Sequence, residues 1–231
     1  MVDVVNILQT LIANIDYNLY CKNITDNLDG SYTIDTCNTL HAREGMYITI
    51  DAEEYVVTDF VLNSYITITG GTLDLTRLSI TLPALGFESG KLSDVDGERV
   101  TKKRLQQQVS PFVWNREPFN VVGNTDKLSN LYGNVSLTLY FMGDCNPNNM
   151  FTADHREQVI NPMKNFADHF INYVNKRRNY FGIVSSFEII DRPFLEIQGV
   201  DGGGSRLFDE NLSGVELRID VPLKNNCVGC Q

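Results

Sequence analysis

No apolar run in the 231-residue sequence approaches the ~18 residues that cross a bilayer as a helix, so no membrane role is expected. The first residues also lack the basic flank and small-residue cleavage site of a secretion signal, which predicts a chain that stays in the cytoplasm where it is made. Basic charge is scarce, with 19 Lys and Arg against 29 Asp and Glu for a net −10. That balance argues against a protein that gains affinity by neutralising nucleic-acid phosphates. Cysteines are few, odd in number and irregularly spaced (Cys21, Cys37, Cys145, Cys227, Cys230), which excludes the disulfide framework of a small secreted domain. Cys227-x-x-Cys230 lacks the second pair that a zinc site requires and the βαβ context of a redox motif. Cys21 and Cys37 could complete four ligands with it, but unpaired thiols and no metal are the simpler reading.

What is present is ordinary globular material: 42% hydrophobic, 21% charged, and no low-complexity stretch. The acidity is concentrated. Residues 1–72 hold ten acids and two bases (Lys22, Arg43), a net −8, which leaves 19 acids and 17 bases, net −2, for the remainder.

Periodicity organises the chain. Residues 3–14 place Val4, Val5, Leu8, Leu11 and Ile12 on one helical face. From Tyr17 to Gly70 the period changes to two, giving short strands at Asn18–Ile24, Tyr32–Cys37, Met46–Ile50, Glu54–Leu62 and Tyr65–Thr69. The turns between them are Asp29-Gly30, Glu44-Gly45, Asp51-Ala52 and Asn63-Ser64. Five short strands in so little chain predict a small antiparallel barrel over 17–70, inserted after a helix (1–16) that belongs with a core domain over 71–231. A strand over 73–83 leads into a polar connection at 84–109, long enough to be read as an arm reaching a partner. The strongest strand is Ser129–Met142, with Val135, Leu137, Leu139 and Phe141 on one face and Ser136, Thr138, Tyr140 and Met142 on the other. Thr152–Asn179 reads as the main helix, with Thr152 as N-cap and an apolar stripe of Val159, Met163, Phe166, Phe170, Tyr173 and Val174. Pro162 should kink or divide it near Asn161. Strands at 183–190 and 214–223 follow. The fold class expected is α+β: an antiparallel sheet packed by a long helix, with a small all-β barrel inserted after the N-terminal helix.

No constellation carries catalysis. His155-x-Glu157 and Asp168-His169 lie nearly four turns apart, about 21 Å at 1.5 Å per residue, so they share neither a metal nor a proton, and exposed helix histidines are expected. Gly202-Gly203-Gly204-Ser205 lacks the lysine of a phosphate loop and reads as a hairpin connection. Asp26–Gly30 starts like a calcium loop, but Cys37 stands where the twelfth-position Glu belongs, so it is a hairpin turn. No cofactor is expected. Two surface features remain as candidates for an oligomer interface. One is the basic cluster Lys102, Lys103 and Arg104 in the 84–109 connection, a match for the acidic 1–72 module of a second copy. The other is Trp114 with Arg116 in SPFVWNREPF, an aromatic and arginine pairing favoured in buried contacts.

The order of elements, together with SPFVWNREPF, NVSLTLYFMGDC, DHREQVINPMKNF and VELRIDVPL, resembles the neck and tail-terminator-like ring proteins of tailed bacteriophages that infect Bacteroidetes, including the crAss-like group. The resemblance spans residues 73–231 and the first helix, and the barrel looks like an insert such proteins carry. It implies a virion structural protein at the head–tail junction or tail end: a homo-oligomeric ring in contact with other neck, portal or tail proteins, with genomic DNA passing through its lumen unrecognised in sequence. It implies no enzyme activity. An acidic lining, which repels the DNA backbone and lets it slide, suits that role. A β-rich module binding a small ligand or carbohydrate is the alternative, since aromatic and Asn/Asp residues near loops also contact sugars.

Overall fold

A computed structural model describes residues 3–91, 95, 111–123, 131–145, 152–178, 180–193, 196–198, 204–206 and 212–224. Helix α1 (Val4–Ala13) opens on Asp3, whose carboxylate accepts from the Asn6 amide at 3.1 Å and so satisfies an otherwise unpaired helix donor. It buries Val4, Leu8, Leu11 and Ile12.

The barrel strands follow as β1 (Asn18–Asp26), β2 (Ser31–Thr36), β3 (Tyr47–Ile50), β4 (Glu53–Val61), β5 (Tyr65–Gly70) and β6 (Ser79–Thr81). Their order is β3-β4-β5-β2-β1-β6, antiparallel throughout, and β6 returns to lie near β3, so the sheet is nearly closed. Alternation fills the interior: Leu19, Ile34, Ile48, Val57, Ile66 and Ile68 are all buried. In the β1–β2 turn Asp26 accepts from the Leu28 amide and Asp29 from the Ser31 amide, while Leu28 and Gly30 take positive φ. The expected strand over 73–83 contracts to β6, which pairs with β1 and carries the barrel sheet past residue 70.

The second sheet contains β7 (Gly86–Gly90), β8 (Phe112–Arg116), β9 (Asn120–Gly123), β10 (Leu131–Asp144), β11 (Phe187–Arg192) and β14 (Leu212–Lys224); β12 (Glu196–Gln198) and β13 (Gly204–Arg206) form a separate hairpin across the glycine-rich loop. The order is β11-β14-β10-β8-β7, with β9 also on β10. Two expectations are corrected here. Residues 86–90 are a strand of the sheet, not the start of a free connection, because Phe87 packs against the core and the segment pairs with β8. The sheet is also not wholly antiparallel, since β7 runs parallel to β8. Gly214 is needed where β14 crosses β10, because a Cβ there would sit 1.9 Å from the Phe141 carbonyl oxygen.

The main helix has three parts: α2 (Ala153–His155), a π-helical turn at Arg156–Ile160, and α3 (Asn161–Lys176) with Pro162 in its first turn. Proline lacks the N–H that the preceding turn would need, so the division near Asn161 follows from the sequence. The helix closes at Lys176, short of Asn179. Val159, Met163, Phe166, Phe170 and Val174 are buried on one face. One continuous core runs from α1 through the barrel to α3 and the inner face of the second sheet, where Val135, Leu137, Leu139 and Phe141 point. A smaller cluster of Val95, Phe112, Trp114, Tyr140, Met142 and Leu212 occupies the opposite face. The molecule is mixed α+β, mostly antiparallel, with a nearly closed barrel-like sheet and one long helix.

Candidate functional site

The outer face of the second sheet holds the candidate interface residues that are described. Register sets Trp114 opposite Tyr140 and Tyr140 opposite Glu216. Trp114 is buried, stacked on Tyr140 at 4.9 Å between centroids, and its indole N–H donates to the Gly90 carbonyl at 3.2 Å. It is therefore a packing residue inside one chain and offers no open contact surface. Arg116 is exposed and donates from Nη1 to the Tyr140 hydroxyl at 3.5 Å. Lys102, Lys103 and Arg104 lie outside the described residues, as do Cys227 and Cys230.

Beside Tyr140 runs an ionic row. Glu216 accepts from Arg192 Nε at 2.7 Å and from Arg218 Nε at 2.5 Å, and Arg218 reaches Glu188 at 3.3 Å. Burial opposes the charge on Glu216, yet the two arginine hydrogen bonds outweigh it and hold its carboxyl below the ordinary range. Every charge here has a partner, which is the signature of a structural network.

The three histidines do not assemble. His155 is buried and not exposed as expected: it lies against the Pro193 backbone, and burial lowers its pKa. His169 is half-buried, with Nε2 3.1 Å from the Asp16 carbonyl. His41, which periodicity could not single out, is fully buried between Tyr17 and Phe166, with Nε2 2.9 Å from the Pro83 carbonyl. Burial pushes its pKa down to about 3, so it is neutral. The described cysteines Cys21, Cys37 and Cys145 are free thiols, and burial raises the pKa of Cys21 and Cys145, which makes them poor nucleophiles. Among the described residues no group of His, Cys, Asp or Glu could hold a metal ion.

A cleft of about 460 Å³ opens where the barrel meets the second sheet. The buried loop Thr39–Ala42 brings Arg43 into it, and this loop is held by Asn165, whose amide donates to Leu40 O at 2.9 Å and to Asn38 Oδ1 at 3.0 Å. Arg43 Nη1 donates to the Asp144 backbone carbonyl at 3.4 Å. On the rim Gln158 Nε2 donates to Glu44 Oε1 at 2.8 Å. Sequence reading passed over Arg43, although it is one of two bases among the first 72 residues and the other, Lys22, is exposed.

These features define an α+β protein with a barrel-like sheet and no catalytic constellation among its described residues. No family model, curated protein or solved structure matches the chain.

Proposed function

We propose that the chain is a structural, non-enzymatic subunit of a homo-oligomeric ring in a tailed-phage virion, at the head–tail junction or tail end, with DNA passing through the lumen. The observation that carries this reading is the open side of the second sheet. Among the described residues strand β11 pairs with β14 on one side only, Phe187 stands half-exposed on it, and Ile183 is exposed on the chain leading in. An uncovered strand edge with large apolar side chains is a template for another chain. A heterologous contact of that kind closes a ring when its rotation divides the circle. The net charge of −10 keeps contacts with DNA loose and sliding. The carbohydrate-binding alternative loses its best platform, because the single tryptophan is buried. Light scattering of the purified chain at micromolar concentration, alone and with its cognate neck and tail proteins, tests the reading. A closed oligomer is expected. A chain that stays monomeric in every mixture refutes it.

A further inference from the structure

We infer that the basic end of α3, with Ile183 and Phe187 beside it, receives the β1–β2 hairpin tip of a second copy; the assignment rests on the homo-oligomeric reading above and names its contact. Lys176, Arg177 and Arg178 end the helix and are all exposed, in a chain of net charge −10. Among the described residues none of the three forms an ion pair. The chain beyond is folded back against them. Asn175 donates to the Val184 carbonyl at 3.3 Å and accepts from the Val184 amide at 2.7 Å, and Lys224 donates to the Arg178 carbonyl. Ile183 and Phe187, 52% and 48% exposed, are thereby held next to the bases, while Glu188 is already paired with Arg218. A phosphate backbone would match this charge and leave the two apolar side chains in water. A protein segment with an apolar residue set between acids matches both.

The β1–β2 tip is such a segment. Leu28 is 91% exposed between Asp26 and Asp29, and neither carboxylate forms an ion pair among the described residues. Its φ of 63° is a conformation that Gly or Asn adopts at less cost, so neither burial nor turn chemistry within the chain calls for a leucine there. The tip also stands away from its own helix. Both strands are anchored at α3: the Asp16 carbonyl before β1 lies 3.1 Å from His169 Nε2, and Asn38 after β2 accepts from Asn165 at 3.0 Å. From there the nine residues of β1 carry the tip about 26 Å off, at ~3.3 Å per residue. Tip and basic surface therefore sit at separate places, and copies joined through them associate head to tail, the contact that a ring requires.

The test is sedimentation velocity of the full chain across a concentration series. Leu28→Asn, which suits the positive φ, and the triple variant Lys176→Gln/Arg177→Gln/Arg178→Gln should each weaken self-association at least ~10-fold, as expected for a buried leucine or several charge pairs lost from a contact. Leu28→Asn keeps the basic surface and the triple variant keeps the tip. Mixed at a concentration where neither associates alone, they hold one intact pair and should form a one-to-one dimer; Leu28→Asn decides alone if the triple variant does not fold. Association as tight as the wild type's in either folded variant, or no pairing in the mixture of folded variants, would overturn the assignment and leave the ring reading standing. A wild type that stays monomeric at every concentration and with its cognate neighbours overturns both. Duplex DNA bound by the wild type and released by the triple variant, with assembly unchanged, would assign the bases to phosphates and overturn the contact.

Discussion

Truncating Phe166 should unfold the barrel and the second sheet together. The ring is fully buried on α3 and touches every layer: Tyr17 stacks on it at 5.6 Å, His41 meets it edge-on at 5.1 Å, and Phe141 of β10 lies 6.0 Å away, centroid to centroid. Phe166→Ala removes a buried ring and leaves a cavity bounded by three rigid elements, at a cost of about 3–5 kcal/mol. For a chain of this length that lowers Tm by about 6–20 °C, at about 2–4 °C per kcal/mol. Because one core cluster runs through both sheets, urea titrations read by circular dichroism and by tryptophan emission should give coincident single transitions in the wild type and in the variant, with an unchanged slope. Pairing Phe166→Ala with Phe141→Ala should show a coupling of about 0.5–1.5 kcal/mol for the aromatic contact. A loss below about 1 kcal/mol, outside the range for a buried ring, would place this stripe elsewhere. Two separated transitions, only one of them shifted, would show that the barrel folds independently and would refute the shared core.

Acid should destabilise the protein through its histidines. His41 falls from its ordinary 6.5 to about 3 in the fold, so below pH 6.5 the unfolded chain binds a proton that the folded chain refuses. Stability is full above that pH and falls toward pH 3 by up to about 1.4 kcal/mol per pH unit from this group. The lowered pKa values of His155 and His169, and at lower pH those of Asp16 and Glu216, act in the same direction; denaturation midpoints at pH 7, 6, 5 and 4 measure the slope, and a flat profile between 6.5 and 5 would contradict the burial of His41. Trp114, the sole tryptophan, should emit at short wavelength and shift red on unfolding, and Trp114→Phe should cost about 1–3 kcal/mol through loss of ring volume and of the indole hydrogen bond to the Gly90 carbonyl, which keeps only the Glu117 amide. Emission at the wavelength of a solvated indole in the native state would contradict its burial. Replacing Lys102, Lys103 and Arg104 with Gln should abolish self-association; a variant that assembles like the wild type excludes the docking arm. Metal analysis of protein purified without chelator should find no zinc, and one equivalent lost in a Cys227→Ser/Cys230→Ser variant would overturn the free-thiol expectation.

Legibility followed the kind of interaction that formed each element. The α3 stripe and the inner face of β10 were readable because apolar burial repeats with the backbone period, as Val135, Leu137, Leu139 and Phe141 and, on α3, Met163, Phe166, Phe170 and Val174 show; Tyr140 and Met142 are buried as well, on the opposite face. The barrel was readable from turn chemistry, since Asp26, Asp29 and Asn63 mark bends where the chain takes positive φ at or beside them. Strand β7, Gly86-Phe87-Glu88-Ser89-Gly90, was not. It has one apolar side chain between two glycines, and its place depends on parallel pairing with β8, more than twenty residues away, which leaves no local pattern. The π-helical turn before Asn161 was equally hidden, because one extra residue in a turn changes no local preference.

The polar junction was the least legible part, and it contains the candidate site. Asn38, Thr39, Asn63 and Asn165 have the composition of exposed turns, yet Asn165 hydrogen-bonds across to Asn38 and Leu40, and Thr39 and Asn63 exchange bonds of 3.3 and 3.1 Å. The loop can be buried because helix α3, through Asn165, and the β4–β5 turn, through Asn63, supply these partners, so its burial is a tertiary fact. His41 and Arg43 follow from it. A loop clamped at Asn38 and Leu40 has its next side chains directed at the helix and the second sheet, which puts a neutral imidazole against Phe166 and a guanidinium over Gly143. What sequence did offer was scarcity. In a segment with ten acids and two bases, Arg43 is turned to the second sheet, where Nη1 donates to the Asp144 carbonyl and the Asp144 carboxylate favours its charge, so the scarce base ties the acidic barrel segment to its neighbour.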